Sequence, residues 1–356
     1  MRLQRQWFQK NKLLVFGLVS LLSSCWACEH TKKERVVTSA FYYWKTDFSL
    51  SSKEEKILSD NKISTLYVKF FDVDWDVRAK KPVAKALTTS KSPLPKGIRV
   101  VPVVYITNRT LLQLNKSQVG QLAERIVDKV QDLSDNVWKT SSRTLPEIQI
   151  DCDWTNKTRR NYFLLLTTLK QKIPALSATI RLHQIKYRSI TGVPPVDRGM
   201  LMSYNMSDWQ ELNRLNSIYE PATLDKYIDE LEDYPLSLDL VMPAFHWGIV
   251  YRNNHFLYFI NNLTEKVLLS KKLPFDIQTA HQFVLQQDTV ALGLALRKGD
   301  VIKVEEVPFD NLLKGSSLLC KKISNQKLTF ALYHLDESSL SSYSYEQISQ
   351  LFQNVK

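Results

Sequence analysis

Eight short runs with strand character, most of them separated by segments able to form helices, restrict the fold of this chain more than any other feature. They fall at residues 39–45, 65–72, 98–107, 147–154, 177–184, 199–206, 238–247 and 328–335. A helix is expected from about residue 51, where Ser51, Ser52, Lys53 and Glu54 have the order of a capping box. Another is expected at 116–133, where Val119, Leu122, Ile126, Val127 and Val130 recur at helical spacing. Further helices are expected from 156 to 174, at 223–231 and at 343–353. Strand and helix alternating eight times is the order of an α/β fold of the (β/α)8 TIM-barrel type, in which right-handed crossovers join parallel strands and the sheet closes on itself. Residues 37–250 would then hold strands one to seven, and 323–356 the eighth strand and its helix. Residues 251–322 become an insertion between strands seven and eight, with a hairpin expected at 294–304 around Gly299. A separate C-terminal domain is the alternative, but the missing eighth strand favours the insertion.

Residues 1–24 read as an export signal. Arg2, Arg5, Lys10 and Lys12 make a positive start, and 13–22 is an apolar run too short to span a bilayer comfortably. Leu22-Ser23-Ser24-Cys25 has the form of a bacterial lipobox, whose cysteine thiol takes a diacylglycerol. An uncleaved anchor, or lipidation at Cys28, is the alternative. Residues 25–36 are polar and charged, as suits a tether. The expected product is an exported protein, lipid-anchored to a bacterial envelope membrane and facing the periplasm or the surface. Four positive and no negative charges leave with the signal, so the formal +12 becomes +8. The basic residues are scattered, and no dense run marks a nucleic-acid groove. Cys152 and Cys320 lie in no Cys-x-x-Cys pair, and Cys152 is read as a buried thiol.

Within 147–154, side chains alternate between faces. Gln149, Asp151 and Asp153 share one side, and Ile148, Ile150, Cys152 and Trp154 the other. Two aspartates on one face stand roughly 6 to 7 Å apart, and they require either a cationic neighbour or a working site. In strand two, Leu66, Val68 and Phe70 are expected on one face and Tyr67, Lys69 and Phe71 on the other.

A barrel of this kind carries its site at the C-terminal strand ends. Asp153, Asp151, Asp72 and Asp74 are the candidate acid and base groups there. The first candidates for substrate contact are Tyr43, Trp75, Tyr105, Trp154, Arg181 and His183. Tyr204, Asn205, His246, Trp247, Tyr333 and Asp336 complete the set, with Trp44, Lys45 and His334 beside them. Aromatic faces pack on pyranose rings while carboxylates and amides bond hydroxyls, so the ring of residues points to a glycan. For any one aromatic, core packing is the alternative. No metal is expected. The histidines lack ligand spacing, and Asp72-Val73-Asp74-Trp75-Asp76 has neither the sixth-position glycine nor the twelfth-position glutamate of a calcium loop. No organic cofactor is expected either.

Asp151-Cys152-Asp153-Trp154 resembles the second half of the Asp-Gly-x-Asp-x-Asp-x-Glu signature of chitinase-like family 18 glycoside hydrolases. Met202-Ser203-Tyr204-Asn205 is similar to their Met-x-Tyr-Asp segment. The resemblance implies a (β/α)8 barrel acting on N-acetylglucosamine polymers, with the signature glutamate protonating the glycosidic oxygen while the substrate acetamide attacks. On this chain the first aspartate falls at Ile148 and the glutamate at Thr155, which cannot deliver a proton near neutral pH. Gln149, Asp151, Asp153, Arg160 and Tyr162 also resemble the pattern of a bacterial family of barrel lipoproteins related to those hydrolases. That likeness runs from about residue 41 to 247 and brings no settled activity.

Two functions follow. The first is glycan hydrolysis by a rearranged pair of aspartates, with Asp153 as acid or stabiliser and Asp72, Asp74 or Asp336 as partner. A carboxyl separation of about 5 Å would give retention, and roughly 6.5 to 9.5 Å inversion. The second is a non-catalytic carbohydrate-binding or scaffolding lipoprotein, in which Arg181 and Lys69 neutralise the aspartates as a charge network.

Overall fold

In the computed structural model, residues 35–138 and 146–355 are described. The expected signal, Cys25 and most of the expected tether lie outside them. The strand-like runs form β1 (Val36–Tyr43), β2 (Thr65–Asp76), β3 (Arg99–Ile106) and β4 (Ile148–Asp151). They continue as β5 (Leu176–Arg181), β6 (Arg198–Met202), β7 (Leu238–Pro243) and β8 (Lys327–Tyr333). All eight pair in parallel, and β1 pairs with both β8 and β2, so the sheet closes. The chain is a (β/α)8 barrel of the TIM type. Its strands are apolar toward the helices and largely polar or aromatic toward the axis. That pattern is demanded of a sheet with one face against helices and the other around a small lumen.

Helix α1 (Ser52–Asp60) starts at the Ser51 and Glu54 capping box and buries Ile57 and Leu58. α2 (Lys116–Trp138) buries the periodic stripe of Val119, Leu122, Ile126 and Val130. α3 (Arg159–Lys170) follows β4. Behind β5 and β6 the helical layer is broken into short pieces, Leu182–Lys186, Arg188–Thr191 and Pro221–Leu224, with a 3-10 turn at Ile228–Glu230 in place of the expected helix over 223–231. α4 (Phe309–Lys322) and α5 (Tyr345–Gln353) complete the ring.

The insertion between β7 and β8 is a five-stranded antiparallel sheet running from Trp247 to Glu305. Its boundaries differ from the expected 251–322 because α4 belongs to the barrel, burying Leu312, Leu319 and Cys320 in the same core as the strands. The expected hairpin at 294–304 is not one. Leu294–Leu296 pairs with Thr289–Ala291, while Val301–Glu305 pairs with Trp247–Arg252 and Gln282–Leu285. The turn between them does use Gly299 at a φ of +85°. One face of the sheet buries Val250, Phe283 and Ile302 in its own small core. The other packs Ile249 and Tyr251 against Trp209, Phe256 and Phe259.

Charges close the N-terminal end of the barrel. Glu147 accepts hydrogen bonds from Arg198 at 2.9 Å and Ser177 at 2.8 Å, with Arg99 at 3.3 Å. Asp239 accepts the Thr329 amide at 2.6 Å and lies 3.3 Å from Arg198. Above them the Tyr42 ring stacks on Tyr67 at 5.0 Å, and the Tyr42 hydroxyl donates to Gln149.

Candidate functional site

A cleft of about 650 Å³ opens at the C-terminal mouth. Its position follows from three adjacent strands in register, with Asp72 beside Tyr105 and Tyr105 beside Asp151. Asp72 reaches this face through a β-bulge in β2. Lys69 pairs with Val103 and Phe71 with the very next residue, Val104, so Phe70 is an extra residue. The expected alternation stops there. Phe70 and Phe71 are both buried toward the helices, Phe70 on Trp138 at 4.8 Å, and Lys69 and Asp72 both line the cleft.

Asp151 forms the floor. It is 6% exposed and accepts a hydrogen bond from Thr179 at 2.6 Å. Burial first, and the neighbouring Asp153 second, push its carboxyl up to about 6, against the opposing pull of Arg181. Asp153 stands two residues on, where β4 has ended. Arg181 Nε donates to it at 2.7 Å, while the same guanidinium lies over the Tyr204 ring at 5.3 Å. The Tyr105 hydroxyl beside them is pushed up to about 12, by burial and then by Asp151.

Looser and tighter pairs line the walls. Lys69 is 8% exposed, and its ammonium is 3.5 Å from Asp72 and 5.9 Å from the Trp44 ring centre. Lys45 is fully engaged, at 2.9 Å from Glu54 and 3.2 Å from Asp336. Asp336 lies below the ordinary carboxylate range because the Ser339 amide and Lys45 outweigh its burial. His334 is pushed down to about 4 by burial, so it is neutral near pH 7, and its Nδ1 has no hydrogen-bond partner among the described residues. Trp247 donates from Nε1 to Glu305 at 2.9 Å, which ties this wall to the insertion.

Asp72, Tyr105, Asp151, Asp153, Arg181 and Tyr204 therefore line one cleft, together with Asn205, His246, Trp247, Tyr333 and Asp336. Five candidates do not. Tyr43 alternates with the inward Tyr42 and packs its ring on Phe48 at 4.7 Å in the helical layer. Trp154 shares the parity of Ile150 and Cys152, stacks on Tyr162 at 5.2 Å and donates to the Thr191 carbonyl at 2.9 Å. Asp74 and Trp75 ride on the part of β2 that pairs with Lys81–Lys85. There Lys85 at 2.8 Å, with Arg109 and Thr107, holds Asp74 well below the usual carboxylate range. His183 lies exposed on the short helix that starts where β5 ends at Arg181.

Met202, Phe245, Asn261, Asn262 and Ser339 also line the cleft, unforeseen. Met202 sits two residues before Tyr204, so parity alone would have found it. Asn261 and Asn262 arrive from the insertion, and no pattern near the strand ends announces them. Thr155, at the position of the signature glutamate, accepts no role in the cleft; its amide donates to the Thr158 hydroxyl at 2.9 Å, beneath α3. Cys152 and Cys320 are both buried. Among the described residues, no group of three or more His, Cys, Asp or Glu side chains is placed to hold a metal ion.

No protein-family model matches the chain, and no curated protein matches it in sequence. Solved structures do. The C-terminal domain of a chitinase-designated protein from Desulfitobacterium hafniense DCB-2 superposes with a TM-score of 0.54 at 10% identity, over 91% of this chain and 100% of that one. The spore cortex-lytic enzyme SleL of Bacillus megaterium QM B1551 gives 0.52 at 13% identity, over 89% of this chain and 74% of that one. SleL of Bacillus cereus gives 0.50 at 14%, over the same shares of 89% and 74%. The chain thus has the chitinase-like form of the (β/α)8 barrel.

Proposed function

We propose that the chain hydrolyses a glycan held in the mouth cleft, with Asp151 as the proton donor. One observation carries this reading: Asp151 and Asp153 share the cleft in opposite environments. Asp151 is buried, with a raised pKa, and keeps a protonated fraction near neutral pH. Asp153 is half-exposed and ion-paired to Arg181. A buried carboxyl that keeps its proton, beside a second carboxyl that faces solvent and an arginine, is the arrangement that acid catalysis at a glycosidic bond needs. Trp44, Trp247 and Tyr333, each partly exposed in the cleft, supply ring faces for sugar packing. The chitinase and cortex-lytic names of the structural neighbours support a glycan as the ligand class. The same reading puts the barrel outside the cytoplasm, attached to an envelope membrane through Cys25.

The second reading is a carbohydrate-binding or scaffolding lipoprotein without turnover, and Thr155 favours it by removing the signature acid from the cleft. Incubating the chain with a panel of glycans and following product release separates the two. Asp151→Asn is expected to lower turnover by roughly a hundred- to ten-thousandfold while binding persists. Undiminished cleavage by this variant would overturn the role of Asp151. Saturable binding by the wild type with no products would leave recognition as the function.

A further inference from the structure

Beside the mouth lies a second cleft of about 640 Å³, nearly the volume of the first. It runs between the start of α1, the start of α5 and the insertion's short helix Glu265–Ser270. The turn after β8 is the partition between the two. Asp336 and Ser339 face the mouth, and Glu337, Ser338, Leu340 and Ser341 face the second cleft. Asn262 lines both. Its φ of +57° fixes it in the left-handed region. Its side chain donates to Asp336 at 3.3 Å and accepts from Ser339 at 2.8 Å. A carboxamide has two N–H donors and two acceptor lone pairs, so one of each remains at the crossing point.

We infer that the second cleft is an extension subsite for the same polymer, so that a linear glycan passes from the barrel mouth over Asn262 and onto the face of α5. This rests on the glycan reading of the mouth. The lining suits sugar: Ile57, Leu340 and Ile348 form an apolar floor, Tyr345 exposes 36% of its surface at the rim, and Lys53 and Glu337 pair across the edge at 2.7 Å. Val267, 40% exposed, forms the opposite wall. Continuity with the mouth selects the polymer over an unrelated ligand, because any chain leaving the mouth beside Asn262 enters this cleft directly.

Affinity measured against a β-1,4-linked N-acetylglucosamine series, from dimer to octamer, and against peptidoglycan strand fragments of matching lengths, tests the inference. Long members are expected to bind about tenfold more tightly than the dimer, the equivalent of about 1.4 kcal/mol. Tyr345→Ala, and separately Val267→Asp on the opposite wall, should remove that gain and leave dimer affinity unchanged. Equal affinity at all lengths, or a length gain that survives both substitutions, would overturn the extension subsite while leaving the mouth reading intact. Absence of binding at every length in both series would overturn the subsite together with the reading beneath it.

Discussion

At the bottom of the barrel Glu147 is met by Arg198, Arg99 and Ser177, whereas at the mouth Asp151 has one neutral donor, Thr179, and Asp72 has one ammonium at 3.5 Å. The same residue types close one end and leave the other with capacity to spare. A buried carboxylate surrounded by matched donors is committed to the fold, since removing a partner strands a charge. A buried carboxylate with a single hydroxyl donor is held at a cost in stability, and such groups collect where chemistry is done. What separates structure from site here is how many partners each acid has, and not how deeply it is buried.

The largest effect is expected where the bottom network is broken. Glu147→Gln should lower unfolding free energy by about 3 kcal/mol, because Arg198 and Arg99 lose their shared counter-charge. Chemical denaturation measures it, and a loss below about 1 kcal/mol would erase the distinction between the two ends. At the mouth the parallel change, Asp151→Asn, is expected to leave stability at neutral pH unchanged or raised.

Titration sharpens the contrast further. Folding raises the Asp151 carboxyl to about 6, whereas an unfolded aspartate titrates near 4. Between those values Asp151 holds its proton more in the folded chain than in the unfolded one, so its contribution to stability falls as pH rises from about 4 to about 6 and levels off above, while buried His334, pushed down to about 4, contributes in the opposite direction over much the same range. Asp239 at the bottom, also pushed to about 6 by burial, adds to the falling contribution. Asp151→Asn should therefore remove one falling contribution and make the net slope between about pH 4 and pH 6 more positive, measured as unfolding free energy against pH. A slope unchanged in the variant would mean that Asp151 is solvated. Turnover that needs the Asp151 proton should likewise decline as pH rises above about 6.

The smallest expected effect falls on a residue outside both networks. Trp154→Phe loses the hydrogen bond to the Thr191 carbonyl, costing about 1 kcal/mol of stability. Glycan affinity should not change. A binding loss in this variant would bring Trp154 back to the cleft.

The barrel was legible because its signal is repeated eight times, and because β2, β3 and β7 carry the apolar runs that burial against helices requires. Within the site, parity was the reliable guide wherever it was followed. It separates Asp151 from Cys152 and Asp153 from Trp154 at and just beyond the end of β4, and the Trp154 candidacy went against it. At the end of β1, Tyr42 and Trp44 point inward and Tyr43 outward, a choice that four consecutive aromatics, Phe41 to Trp44, do not declare. Asn262 and Ser339 were out of reach, since they come from the insertion and from the turn after β8, brought to the mouth by tertiary packing. The broken helices behind β5 and β6 likewise show long-range packing overriding local propensity.

The bulge at Phe70 has a further consequence for how this strand can be altered. Point substitution changes what stands at a position, but here the count of residues decides which positions face the lumen. A substitution scan through β2 leaves that count untouched. Shortening the chain by Phe70 would keep Lys69 and Asp72 as alternate residues on the inner face and remove the ring that anchors Trp138. Adding one residue between them while the bulge persists would turn the acid toward the helices with its identity intact. In this strand, length is inherited as information in its own right.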